Sequence, residues 1–191
     1  MPEAGSVWAR RFIGVALVQG GIMFVVTVFL LYVDLATLLR LPGSGITSPA
    51  AVVAGGAAGN WFTAGYLGYL LILVVGSGLS ALFYHYIEVV MDRPYAGNAR
   101  YLAWAHLLVG NVFLGAGLGL LMYGGYVGGA ALAPTFIGGG GQSAQYVHDE
   151  ILGPVEPWIA LLLLVGAVGP LLGGIGYGMR FQGGRGRQGE A

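Results

Sequence analysis

FIGVALVQGGIMFVVTVFLLYV, residues Phe12–Val33, decides the fold. It runs for 22 residues without a charged side chain. A hydrocarbon core about 30 Å thick is crossed by about 20 helical residues. Arg10 and Arg11 precede the run, as the n-region of a signal peptide would. The run is nevertheless longer than the roughly 7–15 residues of a signal h-region, and no small-x-small cleavage site follows promptly. It reads as a retained membrane helix.

Three more stretches are apolar and long enough to span a bilayer: Tyr66–Met91, Tyr101–Gly128 and Pro157–Met179. None alternates with period two, so a transmembrane barrel is not expected. Charged residues make up 8% of the chain, against about 25% in soluble domains. Hydrophobic residues make up 57% and mean hydropathy is +0.78. Lipid is the solvent that such a surface requires. The formal net charge is zero, which gives no electrostatic basis for nucleic-acid binding. The absence of cysteine excludes disulfides, thiolate metal sites, iron–sulfur clusters and covalent c-type haem.

The expectation is an all-α integral membrane protein with four transmembrane helices. They fall at about 12–33, 66–91, 101–128 and 157–179, within one domain spanning 1–180, with a disordered tail at 181–191. Seven arginines (10, 11, 93, 100, 180, 185 and 187) fall on one side of a four-crossing chain, and only Arg40 on the other. The positive-inside rule makes the seven-arginine side cytoplasmic, with both termini there. The localisation expected is the cell membrane, multi-pass.

On the outer side, Asp34–Gly65 holds enough Pro and Gly to break a continuous helix and leaves room for one or two short interfacial helices. Gly129–Glu156 contains four consecutive glycines, read as a flexible link, and then SAQYVHDEIL, read as a short helix capped by Ser143.

The cytoplasmic turn carries the one suggestive constellation. In HYIEVVMDRPYAGNARYLAWAH, His85 and His106 bracket a short hairpin. Each lies about 8–9 Å in from its expected helix end, at 1.5 Å per residue. Equal depth on antiparallel neighbours is what bis-histidine ligation of a b-type haem needs. Gly78 and Ala81 share the His85 face and Gly110 the His106 face, which leaves space for a flat macrocycle. Arg93 and Arg100 are placed to pair with its propionates. The candidate cofactor is haem b, its iron held by His85 and His106.

Three other readings stand beside this. Small-residue stripes also serve plain helix packing in membranes. His85, Glu88 and His106 form a candidate three-ligand metal site. The same three form a candidate proton relay, since ionisable groups within a membrane are costly and often functional. Gln19 and Asn111 are lone amides at membrane depth that suit helix–helix bonding. His148–Glu150 is an acidic outer patch, read as a solvated loop.

The functional expectation is a small membrane subunit that binds haem between helices two and three and transfers electrons in a respiratory complex. Its expected partners are the lipid bilayer, other membrane subunits or further copies of itself, and quinone. The alternative is a non-catalytic accessory subunit of a larger membrane complex, without a cofactor.

Overall fold

The computed structural model describes residues 5–41 and 45–182. Arg185, Arg187 and most of the expected tail lie outside the described residues. Six helices follow in order: α1 (Val7–Leu38), α2 (Pro49–Ala54), α3 (Ala57–Val90), α4 (Asn98–Leu132), α5 (Ala144–Tyr146, continued by a π turn over Val147–Leu152) and α6 (Glu156–Gln182). The described residues contain no strand. Helices α1, α3, α4 and α6 are 32, 34, 35 and 27 residues long, and each is apolar and long enough to cross a membrane. Large apolar side chains face outward along them. Leu17 and Phe24 are 71% and 69% exposed, a surface compatible with a multi-pass membrane protein.

The helices are longer than the apolar runs alone implied. α3 begins at Ala57, not Tyr66, directly after Gly56, whose φ of +81° stops the helix there. α4 runs from Asn98 to Leu132 rather than from Tyr101 to Gly128. Two of its glycines, Gly125 and Gly129, sit against neighbouring backbone instead of breaking the helix. A Cβ on Gly125 would lie 2.0 Å from the backbone nitrogen of Phe62, so only glycine lets α3 and α4 approach this closely. The four-glycine run is also not a loose link. The amides of Gly139, Gly140, Gly141 and Gln142 donate to carbonyls of Pro134, Ala130, Ala133 and Ala131, folding the chain back on the end of α4. Ser143 does cap α5, its hydroxyl accepting from the Tyr146 amide.

The chain divides into two compact units. One comprises residues 1–19, 71–115 and 163–191; the other comprises 20–70 and 116–162. In the second, Ser48 and the Asp34 carboxylate accept from the first amides of α2, at Ala51 and Ala50. Thr27 and Tyr66 share a 2.6 Å hydroxyl contact between α1 and α3. In the first, Trp8, Phe12, Tyr84 and Tyr95 build an aromatic core on the small side chains of Ala81, Ala99 and Ala103. Tyr84 is fully buried, stacked on Phe12 at 4.9 Å and edge-on to Tyr177 at 4.9 Å.

Helices α3 and α4 are not uniformly α-helical. π-helical segments occupy Tyr69–Val75 and Tyr86–Val90 in α3, and His106–Gly110 in α4. Each widens the turn by one residue and rotates the faces that follow.

Candidate functional site

The site is built around His106, in the first unit. His106 opens the π turn of α4 and is 7% exposed. One side of its ring faces α6, where a Cβ on Gly173 would lie 2.2 Å from Nδ1. The Tyr84 hydroxyl reaches the same Nδ1 at 3.4 Å. Phe12 covers the imidazole at 4.7 Å and Tyr177 meets it edge-on at 6.1 Å. The Cδ2 edge turns toward Gly110.

That edge borders a cavity of about 240 Å³. Phe12, Leu73, Leu114 and Pro170 make its apolar wall, and Ser77, Ser80, His106 and Asn111 supply polar atoms. The Ser77 hydroxyl donates to Asn111 Oδ1 at 3.0 Å, and Asn111 Nδ2 donates to the Leu107 carbonyl at 2.9 Å. Nδ2 carries two N–H groups, so one remains. Ser80 donates back to the Gly76 carbonyl at 2.8 Å. Two π-helical segments, Tyr69–Val75 and His106–Gly110, contribute to the wall, and such segments often mark functional positions.

The two histidines are not brought together. His85 is exposed, while His106 is buried. The residue of α3 that reaches His106 is Tyr84, one position earlier, and successive helical residues point about 100° apart. Their depths differ as well. His85 lies five residues before the end of α3, about 7.5 Å, and His106 eight residues after the start of α4, about 12 Å. The space beside His106 is filled by Tyr84, Phe12 and the α6 backbone at Gly173, which leaves no slot for a macrocycle on that side. A single copy of the chain therefore does not offer the bis-histidine arrangement.

The other expected residues have structural work. A Cβ on Gly169 of α6 would lie 2.3 Å from the Gly110 nitrogen, so Gly110 serves a close helix crossing. Ala81 is buried in the aromatic core, and a Cβ at Gly78 would meet nothing. Arg93 donates to the carbonyls of Arg180 and Phe181 at 2.9 and 2.6 Å, capping α6, and Arg180 donates in return to the Ala96 carbonyl. Arg100 is exposed. Glu88 makes a structural contact with a remote part of the chain. Its carboxylate accepts from the Ser6 hydroxyl and from the Trp8 amide at 3.2 Å, at the N-terminus of α1. Among the described residues no three histidines or carboxylates gather as a metal site.

Tyr84, Ser77 and Ser80 were not anticipated. Ser77 and Asn111 are polar residues near the middle of their spans, and that shared depth was the available signal. Compared with protein-family models, curated proteins and solved structures, the chain matches none.

Proposed function

We propose that this chain is a multi-pass membrane subunit that binds the head of a quinone, or a like flat dione, in the His106 cavity, and serves electron transfer within a larger membrane complex. The arginine-rich turn and both termini then face the cytoplasm. The carrying observation is the polar edge of this otherwise apolar cavity, where His106 and Asn111 both line the wall. The proposal places the ring proton on Nε2, as a donor for a ligand, with the Tyr84 hydroxyl 3.4 Å from Nδ1 donating to that nitrogen. Asn111 is five positions after His106, about one turn on across the π-helical segment. A ring with a carbonyl oxygen at each end accepts from both, and Phe12 gives it an aromatic face. Membrane depth suits a ligand that is apolar except at two acceptors.

The test is saturable binding of a short-chain quinone to the detergent-solubilised full chain, followed by quenching of its tryptophans. His106→Leu should weaken binding about tenfold, equivalent to about 1.4 kcal/mol, the scale of one net hydrogen bond. Equal affinity in both proteins, or no saturation, overturns the reading.

The accessory-subunit reading has one observation in its favour. His85 is an ionisable side chain on an outward face of a membrane-type helix, where lipid contact is costly and a neighbouring subunit would relieve it.

A further inference from the structure

A second cavity in the first unit, of about 440 Å³, lies between the N-terminal turns of α1 and the first half of α4. Its walls are apolar over most of their length: Gly14, Val15 and Val18 from α1 face Leu108 and Val112 from α4. From Arg11 to Gln19 the groove follows α1 for about 12 Å. One end is different. There the Arg11 guanidinium lies between two indoles, 4.6 Å from the Trp8 ring centre and 4.5 Å from that of Trp104. The stack fixes the cation in place and leaves its charge uncancelled.

Nothing acidic in the described part of this unit is available to neutralise it. The two carboxylates there are Glu88, engaged by Ser6 and the Trp8 amide, and Asp92, on the turn. Five arginines stand against them: 10, 11, 93, 100 and 180. Arg93 and Arg180 are committed to backbone carbonyls. Arg100 lies one helical turn before Trp104 on the same face of α4, and Arg10 is exposed beside Arg11. The groove thus joins an apolar trough to one held cation, Arg11, with Arg10 next to it in the chain and Arg100 a turn from Trp104.

We infer that this groove is a binding site for one anionic phospholipid, its phosphate on Arg11 and one acyl chain along Gly14, Val18 and Val112. Charge complementarity selects the anionic class, because a zwitterionic headgroup brings its own cation beside the uncancelled charge of Arg11. The two cavities share Asn111 in their linings, but the lipid site is argued from Arg11 and the α1 wall and does not rest on what the His106 cavity binds.

The experiment is native mass spectrometry of the full chain released from detergent micelles doped with either phosphatidylglycerol or phosphatidylcholine, with thermal unfolding as a second readout. One phosphatidylglycerol per chain should survive delipidating collision energies, at least tenfold more than phosphatidylcholine. Arg11→Gln should abolish that preference. Gly14→Phe is the decisive variant: a Cβ at Gly14 meets nothing within 4 Å, so the new ring fills the groove without displacing protein, and the lipid should be lost while the unfolding temperature without lipid is kept. Equal retention of the two lipids, retention undiminished in Gly14→Phe, or equal protection by inorganic phosphate alone would overturn the proposal. So would a second polypeptide crosslinked into the groove from position 14.

Discussion

The carboxylate of Glu88 caps α1 from 80 residues further along the chain than Trp8, taking the Trp8 amide at 3.2 Å and the Ser6 hydroxyl. Ser6 in turn accepts from the Ala9 amide at 2.9 Å. The first amides of a helix have no partner within it and carry the positive end of its dipole. Glu88 satisfies one of them and ties α1 to the end of α3. Glu88→Ala should destabilise the protein by about 1–3 kcal/mol, combining a lost cap with a lost charged hydrogen bond. Glu88→Gln keeps an acceptor and should lose about half of that. Thermal unfolding in one detergent measures both, and an unchanged Glu88→Ala protein would show that the cap is dispensable.

His106 and Gly173 form a second such relationship. A Cβ at 173 would overlap the imidazole, 2.2 Å from Nδ1, whereas one at Gly178, further along the same helix, would meet nothing. Gly173→Ala should cost about 1–3 kcal/mol by overpacking, and Gly178→Ala less than about 0.5 kcal/mol. Removing the imidazole should rescue the first substitution. The His106→Ala, Gly173→Ala pair should therefore show a coupling energy above about 1 kcal/mol in a double-mutant cycle. Additive losses would mean that α6 does not rest on this ring.

Much of the architecture is legible because lipid demands it. A long uncharged run such as Phe12–Val33 has few other uses, and four such runs yielded four long apolar helices. The ends were harder to place. Glycine ends helices in water, but at Gly125 or Gly65 it admits a neighbouring backbone, so the helices continue through segments that look like breakers. At the site, His106 was legible and its partner was not. Equal depth from the expected helix ends paired it with His85, but α4 starts at Asn98 rather than Tyr101, and π-helical segments at Tyr86–Val90 and His106–Gly110 rotate the faces on both sides of the hairpin. Tyr84 takes the place assigned to its neighbour. Glu88 looked like chemistry because the chain it caps is remote in sequence.

The turn between α3 and α4 makes a pH prediction. Tyr95 is buried there, and its hydroxyl has no hydrogen-bond partner among the described residues. Burial, and then the proximity of Tyr177 and Glu88, push its phenol above the ordinary value of about 10. Below pH 10 folded and unfolded chains both hold the proton. Above it the unfolded chain releases the proton first, so stability falls as pH rises toward the folded value. Tyr95→Phe should be neutral or stabilising by up to about 1 kcal/mol at pH 7, since it removes an unpaired buried hydroxyl. It should also lose stability less steeply between pH 10 and 11. Parallel alkaline profiles for the two proteins would contradict this.

The chain has no cysteine, so single cysteines can report its sidedness without background. Ala96 lies on the turn between α3 and α4, and Gln142 in the connection after α4, both exposed. In sealed vesicles of known orientation, Ala96→Cys should react with a membrane-impermeant maleimide only from the cytoplasmic side, and Gln142→Cys only from the opposite side. Reaction of both from one side would rule out four crossings.

The last prediction separates the three residues that compete for the site. If the quinone head accepts from Nε2 of His106, then His106→Leu should weaken binding about tenfold. Tyr84→Phe should weaken it several-fold with the imidazole still present, because the ring loses the partner that fixes its tautomer. His85→Ala should change nothing, because that side chain is exposed and Tyr84 holds the inward position. The order His106, then Tyr84, with His85 silent, is specific to this geometry. A general loss of folding would instead affect quinone affinity and unfolding temperature together, so both are measured on each variant. A reduced-minus-oxidised haem spectrum in the purified protein that vanished on replacing either histidine would overturn this order and return the site to bis-histidine ligation, with the second imidazole supplied by another copy of the chain.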